Sequence, residues 1–146
     1  MYPIMTDSGL SADDTIALHQ LVYQYAHIVD DAEFDRLTEI FTVDVEFDTS
    51  AFGNAPVRGI GPVIESYVDA RHPVAHHVTT PVVSTDPDGT VRVRSKVLSL
   101  LGGGLCGSGT YDDVVVKTPD GWRISKRVIG LRRERDLLRP PPRPAQ

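Results

Sequence analysis

Four polar residues interrupt or close segments of this 146-residue chain that otherwise read as core: Tyr25, Asp30, His77 and Arg127. A phenol, a carboxylate, an imidazole and a guanidinium gathered in one apolar cavity would suit proton abstraction followed by loss or migration of a neighbouring group. Asp30 falls at or near the end of the first helical segment, where unpaired carbonyls disfavour a negative charge. That placement suits a base or a group sharing a proton with a histidine; its plain alternative is an exposed helix terminus, beside the acidic Asp31, Glu33 and Asp35. His76 and His77 are neighbours in an extended segment and must point to opposite faces. His76 shares its parity with Val78 and Val82, so alternation alone slightly favours His76 as the inward one. Two vicinal histidines on a strand cannot reach one metal and no third ligand stands at a recognisable spacing, so no metal site is expected.

Tyr25 lies on an apolar stripe, where an aromatic ring ordinarily packs and its hydroxyl needs one partner. Five positions separate it from Asp30, which on an ideal helix leaves the side chains about 140° apart. They would share a cavity only if the helix end changes geometry. In the last strand Trp122 and Ile124 share one parity, while Arg127, Ile129 and Leu131 share the other. The switch implies a bulge or twist that turns Arg127 inward; otherwise it is an ordinary exposed arginine.

The elements that must position these groups are legible in outline. Residues 11–14 have the Ser-x-x-Asp form of a helix start, and Leu18, Leu21, Val22, Tyr25, Ile28 and Val29 recur at three- and four-residue spacings. A short second helix fits Phe34, Leu37, Ile40 and Phe41, and residues 43–48 then alternate as a strand. Gly53, Gly59 and Gly61 mark loops, and Pro62 opens a third helix that ends by His72 and Pro73. From residue 75 the signals turn to β. A strand over 75–85, a turn at Asp86-Pro87-Asp88-Gly89 and a long strand through Val91, Val93, Val97 and Leu101 make a hairpin. The sheet breaks at residues 102–104, resumes at 110–117, and ends in a strand from Trp122 to about Arg132. Helices first and strands after argue for α+β, with a curved sheet wrapped around the helices and a pocket on its concave face.

Composition narrows the function. Twenty Asp and Glu against fifteen Lys and Arg give a net charge of −5, which offers no attraction for nucleic acid or anionic lipid. The late cluster Arg132, Arg133, Arg135, Arg139 and Arg143 lies in a Pro-rich segment without aromatics and reads as a solvated tail. One cysteine, Cys106, leaves no internal disulfide and reads as a small hydrophobe. The glycines of residues 102–109 do not follow a strand and open a helix, so they form a bulged strand corner rather than a phosphate loop. No run approaches the ~18 apolar residues of a membrane span. Residues 1–9 lack the basic start and apolar run of a secretory signal, so a cytoplasmic protein is expected. One domain over 10–133 with flexible termini at 1–9 and 134–146 completes the outline.

Tyr25-x-x-x-x-Asp30, the run from Asp30 through Asp35-Arg36-Leu37, Phe41 with Asp44-Val45-Glu46-Phe47-Asp48, and Asp120-Gly121-Trp122-Arg123-Ile124-Ser125-Lys126-Arg127 together resemble the SnoaL-like branch of the nuclear transport factor 2-like superfamily. The resemblance runs through members such as scytalone dehydratase, bile acid 7α-dehydratase and hexachlorocyclohexane dehydrochlorinase. It implies a cone-shaped α+β barrel of a curved, mostly antiparallel sheet, no cofactor, and a homodimer or homotrimer. It also implies a dyad of Asp30 with His77, choosing His77 over His76 against the parity argument, with Tyr25 and Arg127 beside them. The reading that follows is a cofactor-independent lyase of dehydratase type acting on a small hydrophobic cyclic or polyketide-like substrate. Phe47, Asp48, Tyr67, Leu101 and Tyr111 are expected to touch that substrate. An isomerase or cyclase based on Asp48, and a non-catalytic binding member, stay open beside it.

Overall fold

The computed structural model describes residues 9–132, so the readings of residues 1–8 and 133–146 as flexible tails lie outside the described residues. Helix α1 spans Ala12–Asp30. Ser11 caps it, its hydroxyl accepting the Asp14 amide at 3.0 Å and donating to Asp14 Oδ2 at 2.9 Å. That satisfies one of the free N–H groups at the helix start. The stripe read from sequence is the buried one: Leu18, Leu21, Val22, Tyr25, Ile28 and Val29 are all core.

The second helical segment is a 3-10 turn, Phe34–Glu39, too short to hold more than Leu37 in the core. Strand β1 begins earlier than the alternation suggests, at Phe41–Asp48. Three short elements escaped the sequence reading, the two-residue strand β2 (Val57–Arg58) and the 3-10 turns Ser50–Phe52 and Gly102–Gly104. Helix α2 is Ile60–Asp69, with Pro62 in its first turn, where a missing N–H costs nothing. It buries Val63 and Tyr67.

Strands β3 (Ala75–Thr85), β4 (Val91–Leu100), β5 (Cys106–Thr118) and β6 (Gly121–Arg132) follow. The six strands form one sheet in the order β2-β1-β6-β5-β4-β3, antiparallel except where β1 runs parallel to β6. The α+β arrangement and mostly antiparallel sheet agree with the sequence reading. Among the described residues the sheet is nevertheless open: β2 and β3 are its two edges, and no pairing joins them into a closed barrel.

Strand β5 starts at Cys106 rather than near residue 110 because the glycines are part of it. A Cβ on Gly109 would sit 2.5 Å from the Gly130 carbonyl oxygen and 3.3 Å from Val97 Cγ1. Only glycine admits so close an approach. Two irregularities re-aim side chains. In β6 the register slips beside Ser125, so that Val114 faces Lys126 and Val115 faces Ile124. Ile124 and Arg127, of opposite parity, therefore both reach the interior, as the parity switch predicted. In β3 the register slips between Thr79 and Val82, at Thr80, whose φ is +49°.

Candidate functional site

The concave side of the sheet, α2 and the segment leading into β3 enclose a cavity of about 800 Å³. Tyr25 comes to it from α1, Phe47 from β1, Tyr67 from α2, His76 from β3, and Tyr111 from β5. Gly107 and Gly109 alternate with Tyr111 on one face of β5 and also line it. At Gly107 a Cβ would meet nothing within 4 Å, so the missing side chain there leaves space open.

Asp30 and His76 meet. The imidazole Nδ1 of His76 lies 2.6 Å from Asp30 Oδ1, and the carboxylate also accepts the His76 backbone amide at 3.1 and 2.9 Å. Since a carboxylate only accepts, Nδ1 carries the proton and Nε2 is left as the basic nitrogen, with no hydrogen-bond partner among the described residues. The side chains of His76 and Asp30 are 8% and 23% exposed. His76 lines the cavity, whereas Asp30 lies behind it, in a smaller groove of about 340 Å³ shared with His27 and His77. The angular objection to Tyr25 and Asp30 sharing a cavity thus stands: His76 bridges them, its ring 6.4 Å from that of Tyr25.

The expectation for His77 requires correction. His77 is exposed and faces the outer groove, away from the cavity. The alternation of β3 decides this, because burying Val78 turns His76 inward with it. The parity argument placed the histidines correctly, and the resemblance misplaced them by one residue.

Tyr25 is the hub of an aromatic cluster. Its ring packs edge-on against Phe41, Tyr67 and Tyr111 at 6.0, 6.5 and 5.6 Å. Its hydroxyl forms a short hydrogen bond with that of Tyr67. Burial, and then the neighbouring Tyr25, push the Tyr67 and Tyr111 phenols well above their ordinary range, so both stay neutral and able to donate. His72 stacks on Tyr67, rings 4.9 Å apart, with its Nε2 against the Tyr67 carbonyl. That contact pins the chain between α2 and β3.

Arg127 also departs from expectation. It is fully buried and does not line the cavity. Its Nε and Nη2 donate to Asp113 Oδ1 and Oδ2, both at 2.7 Å. The guanidinium lies 4.2 Å from the ring centres of both Tyr25 and Tyr111. Burial works against its charge, but Asp113 and the flanking phenols outweigh that and raise its affinity for the proton; burial pushes the Asp113 carboxyl up and Arg127 draws it back down, and the two-pronged 2.7 Å contact is that of a charge-assisted pair. Its observed contacts are with the aromatic cluster that forms the cavity wall. Asp113 was missed in the sequence, although it shares inward parity with Tyr111 and Val115, and an inward carboxylate demands a buried partner.

Asp48 is corrected as well. It does not line the cavity, and its carboxylate accepts the Ser50 amide at 2.8 Å. The Ser50 side chain and amide hold it below the usual carboxylate range, the opposite of what a base requires. Phe47, Tyr67, Leu101 and Tyr111 do line the cavity. Among the described residues no group of His, Cys, Asp and Glu side chains is arranged to hold a metal ion, and no helix is long and apolar enough to cross a membrane.

An open mixed sheet with its helices packed on the concave face, and a roomy aromatic cavity beneath, defines a small-molecule-sized α+β cone. The chain belongs to the SnoaL-like domain family, which it matches over residues 11–128. Uncharacterized proteins of Mycobacterium tuberculosis (strain ATCC 25618 / H37Rv) and Mycobacterium bovis (strain ATCC BAA-935 / AF2122/97) are 30% identical to it over 131 residues, covering 79% of this chain and 83% of theirs. Among solved structures, a protein of Novosphingobium aromaticivorans provisionally described as an aromatic ring hydroxylase superposes with a TM-score of 0.70 at 26% identity, covering 84% of this chain and 91% of that one. ActVI-ORFA of Streptomyces coelicolor gives 0.69 at 18% identity, with 80% and 96% covered. A second Novosphingobium aromaticivorans protein, provisionally described as a scytalone dehydratase, gives 0.67 at 22%, with 88% and 89% covered. The latter two likenesses speak to the fold alone.

Proposed function

We propose that this protein is a cofactor-independent lyase of dehydratase type, with His76 as the base and Asp30 as the group that orients it. The observation that carries this reading is the 2.6 Å contact between His76 Nδ1 and Asp30, on a histidine that faces an aromatic-lined cavity. Nε2 removes a proton next to a carbonyl on a cyclic substrate. The paired hydroxyls of Tyr25 and Tyr67 hydrogen-bond to that carbonyl and stabilise the charge it develops. The hydroxyl on the next carbon leaves as water with the proton that Nε2 took, so the imidazole returns neutral. Arg127 and Asp113 act at one remove by holding the rings of Tyr25 and Tyr111.

Two bicyclic ketones test the two halves of the reaction. 3-Hydroxy-1-tetralone loses water to give 1-naphthol, followed by fluorescence, and 1-tetralone in heavy water reports proton abstraction alone, followed by mass spectrometry. Turnover is expected to fall ~10²-fold or more in His76→Ala and Asp30→Asn, and to be retained in His77→Ala. Full activity in His76→Ala would end the assignment. Deuterium exchange without naphthol formation would favour an isomerase or cyclase in the same cavity.

A further inference from the structure

The cavity has an electrostatic character opposite to that of the chain. The protein carries a net charge of −5, yet among the described residues no aspartate or glutamate lines the cavity, and the fixed charge they place there is a cation, Arg71. Arg71 is exposed, lies just beyond the end of α2 at Asp69, and has no hydrogen-bond or ion-pair partner among the described residues. Its position is not left to chance, because the adjacent His72 is stacked on Tyr67 and bound to its carbonyl. Several other surface arginines and lysines are paired: Arg36 with Glu33 and Glu39, Arg58 and Lys126 with Glu46, Arg92 with Asp86, Lys117 with Asp14. Phe52 and Leu101 also line the cavity and are substantially exposed, so its open side carries apolar surface beside the polar Asn54 and Ser108.

A guanidinium without a partner among the described residues, at a largely apolar cavity that no described carboxylate lines, matches an amphiphilic ligand. Its ring body would fill the aromatic interior, and an anionic oxygen group would remain at the mouth. A planar guanidinium recognises carboxylate and phosphate oxygens through paired hydrogen bonds. Low-dielectric walls strengthen that attraction and concentrate anions against the overall negative field. We infer that Arg71 selects substrates bearing a carboxylate or phosphate that stays at the open side of the cavity, and so determines specificity. This rests on the reading of the cavity as the substrate site, but not on the proton chemistry.

Displacement of the neutral fluorophore N-phenyl-1-naphthylamine from the cavity tests it, with 2-naphthoate, methyl 2-naphthoate and 2-naphthyl phosphate as competitors. In the wild-type protein an anion is expected to compete roughly tenfold better than the ester, the strength of one hydrogen-bonded charge pair. Arg71→Gln should close that gap and Arg71→Glu should invert it, with the ester unchanged in both. Whichever of naphthoate and naphthyl phosphate depends more on Arg71 identifies the anion. An anion preference that survives Arg71→Gln, or an ester that weakens in step with the anions, would overturn the inference. The preference should persist in His76→Ala, which separates it from catalysis, and failure of the fluorophore to bind at all would overturn the cavity reading with it.

Discussion

Asp113→Asn isolates what the buried ion pair contributes. In the native protein both members are fully buried, and two of the three guanidinium nitrogens are held by Asp113 at 2.7 Å. The third, Nη1, has no hydrogen-bond partner among the described residues. Replacing the carboxylate by an amide keeps one acceptor but strands a full positive charge in the interior. Breaking a buried pair in this way costs about 3–5 kcal/mol. The retained acceptor and the two flanking rings, each worth roughly 0.5–2 kcal/mol as a cation–π contact, place the expected loss near the lower end, about 3 kcal/mol. Against a typical domain stability of about 5–15 kcal/mol that is a large fraction, and it corresponds to a fall in Tm of roughly 10–15 °C. Urea denaturation followed by circular dichroism measures it directly. The double change Asp113→Leu with Arg127→Met removes both charges and should recover at least half of the loss, since two apolar groups leave nothing unpaired. If Asp113→Asn lies within about 1 kcal/mol of the wild type, or the double variant is less stable than the single one, the account of this pair as an interdependent buried ion pair is refuted.

Gly109→Ala should force β5 and β6 apart, because its Cβ would meet the Gly130 carbonyl at 2.5 Å; a loss of roughly 1–3 kcal/mol is expected, and an unchanged melting temperature would contradict it. Asp14 accepts hydrogen bonds from Lys117, Trp122 and Ser11, which lower its carboxyl from 3.8 to about 2. A depressed folded-state value means that its contribution is present above pH 3.8 and is lost as pH falls toward about 2. Asp14→Asn should therefore melt below the wild type at pH 7, and the gap should close near pH 2; a gap independent of pH would show that the carboxylate charge is not what matters. Tyr67→Phe removes the partner of the Tyr25 hydroxyl and should slow both the dehydration and the exchange reaction while leaving the fold intact; equal rates in the two proteins would exclude that hydroxyl pair from the chemistry.

The sequence made the scaffold readable wherever periodicity is strong. The stripe from Leu18 to Val29 and the alternation through Val93 and Val97 correspond to buried faces because each reports directly which side chains leave water. The same rule placed His76 inward, and it failed where the register slips: past Thr80, where Val82 is exposed and Val83 turns toward the core, and in β1, where Val43 is exposed although it shares the parity of Val45. Arg127 was foreseen as inward from the parity switch around Ser125, but its destination was not, since pairing with Asp113 depends on the register of β5 against β6. Asp48 came from the resemblance alone, as the acid on which an isomerase or cyclase could rest. What its sequence could not convey is that it faces away from the cavity and caps the following turn. Arg71 carried no signal at all: a lone arginine after a helix is ordinary until the surrounding carboxylates are seen to be missing from the cavity.

The two margins of the sheet are both poor templates for another chain. One is β2, only two residues long. The other is the eleven-residue β3, a length that would invite strand addition were it continuous. Thr80, with its left-handed backbone, and Pro81, which lacks an amide hydrogen, break the free rim of β3 in the middle. A newly synthesised copy meeting a folded one therefore finds no uninterrupted ladder on which to extend, and the kink that spoils the register of β3 also guards the protein against edge-to-edge aggregation.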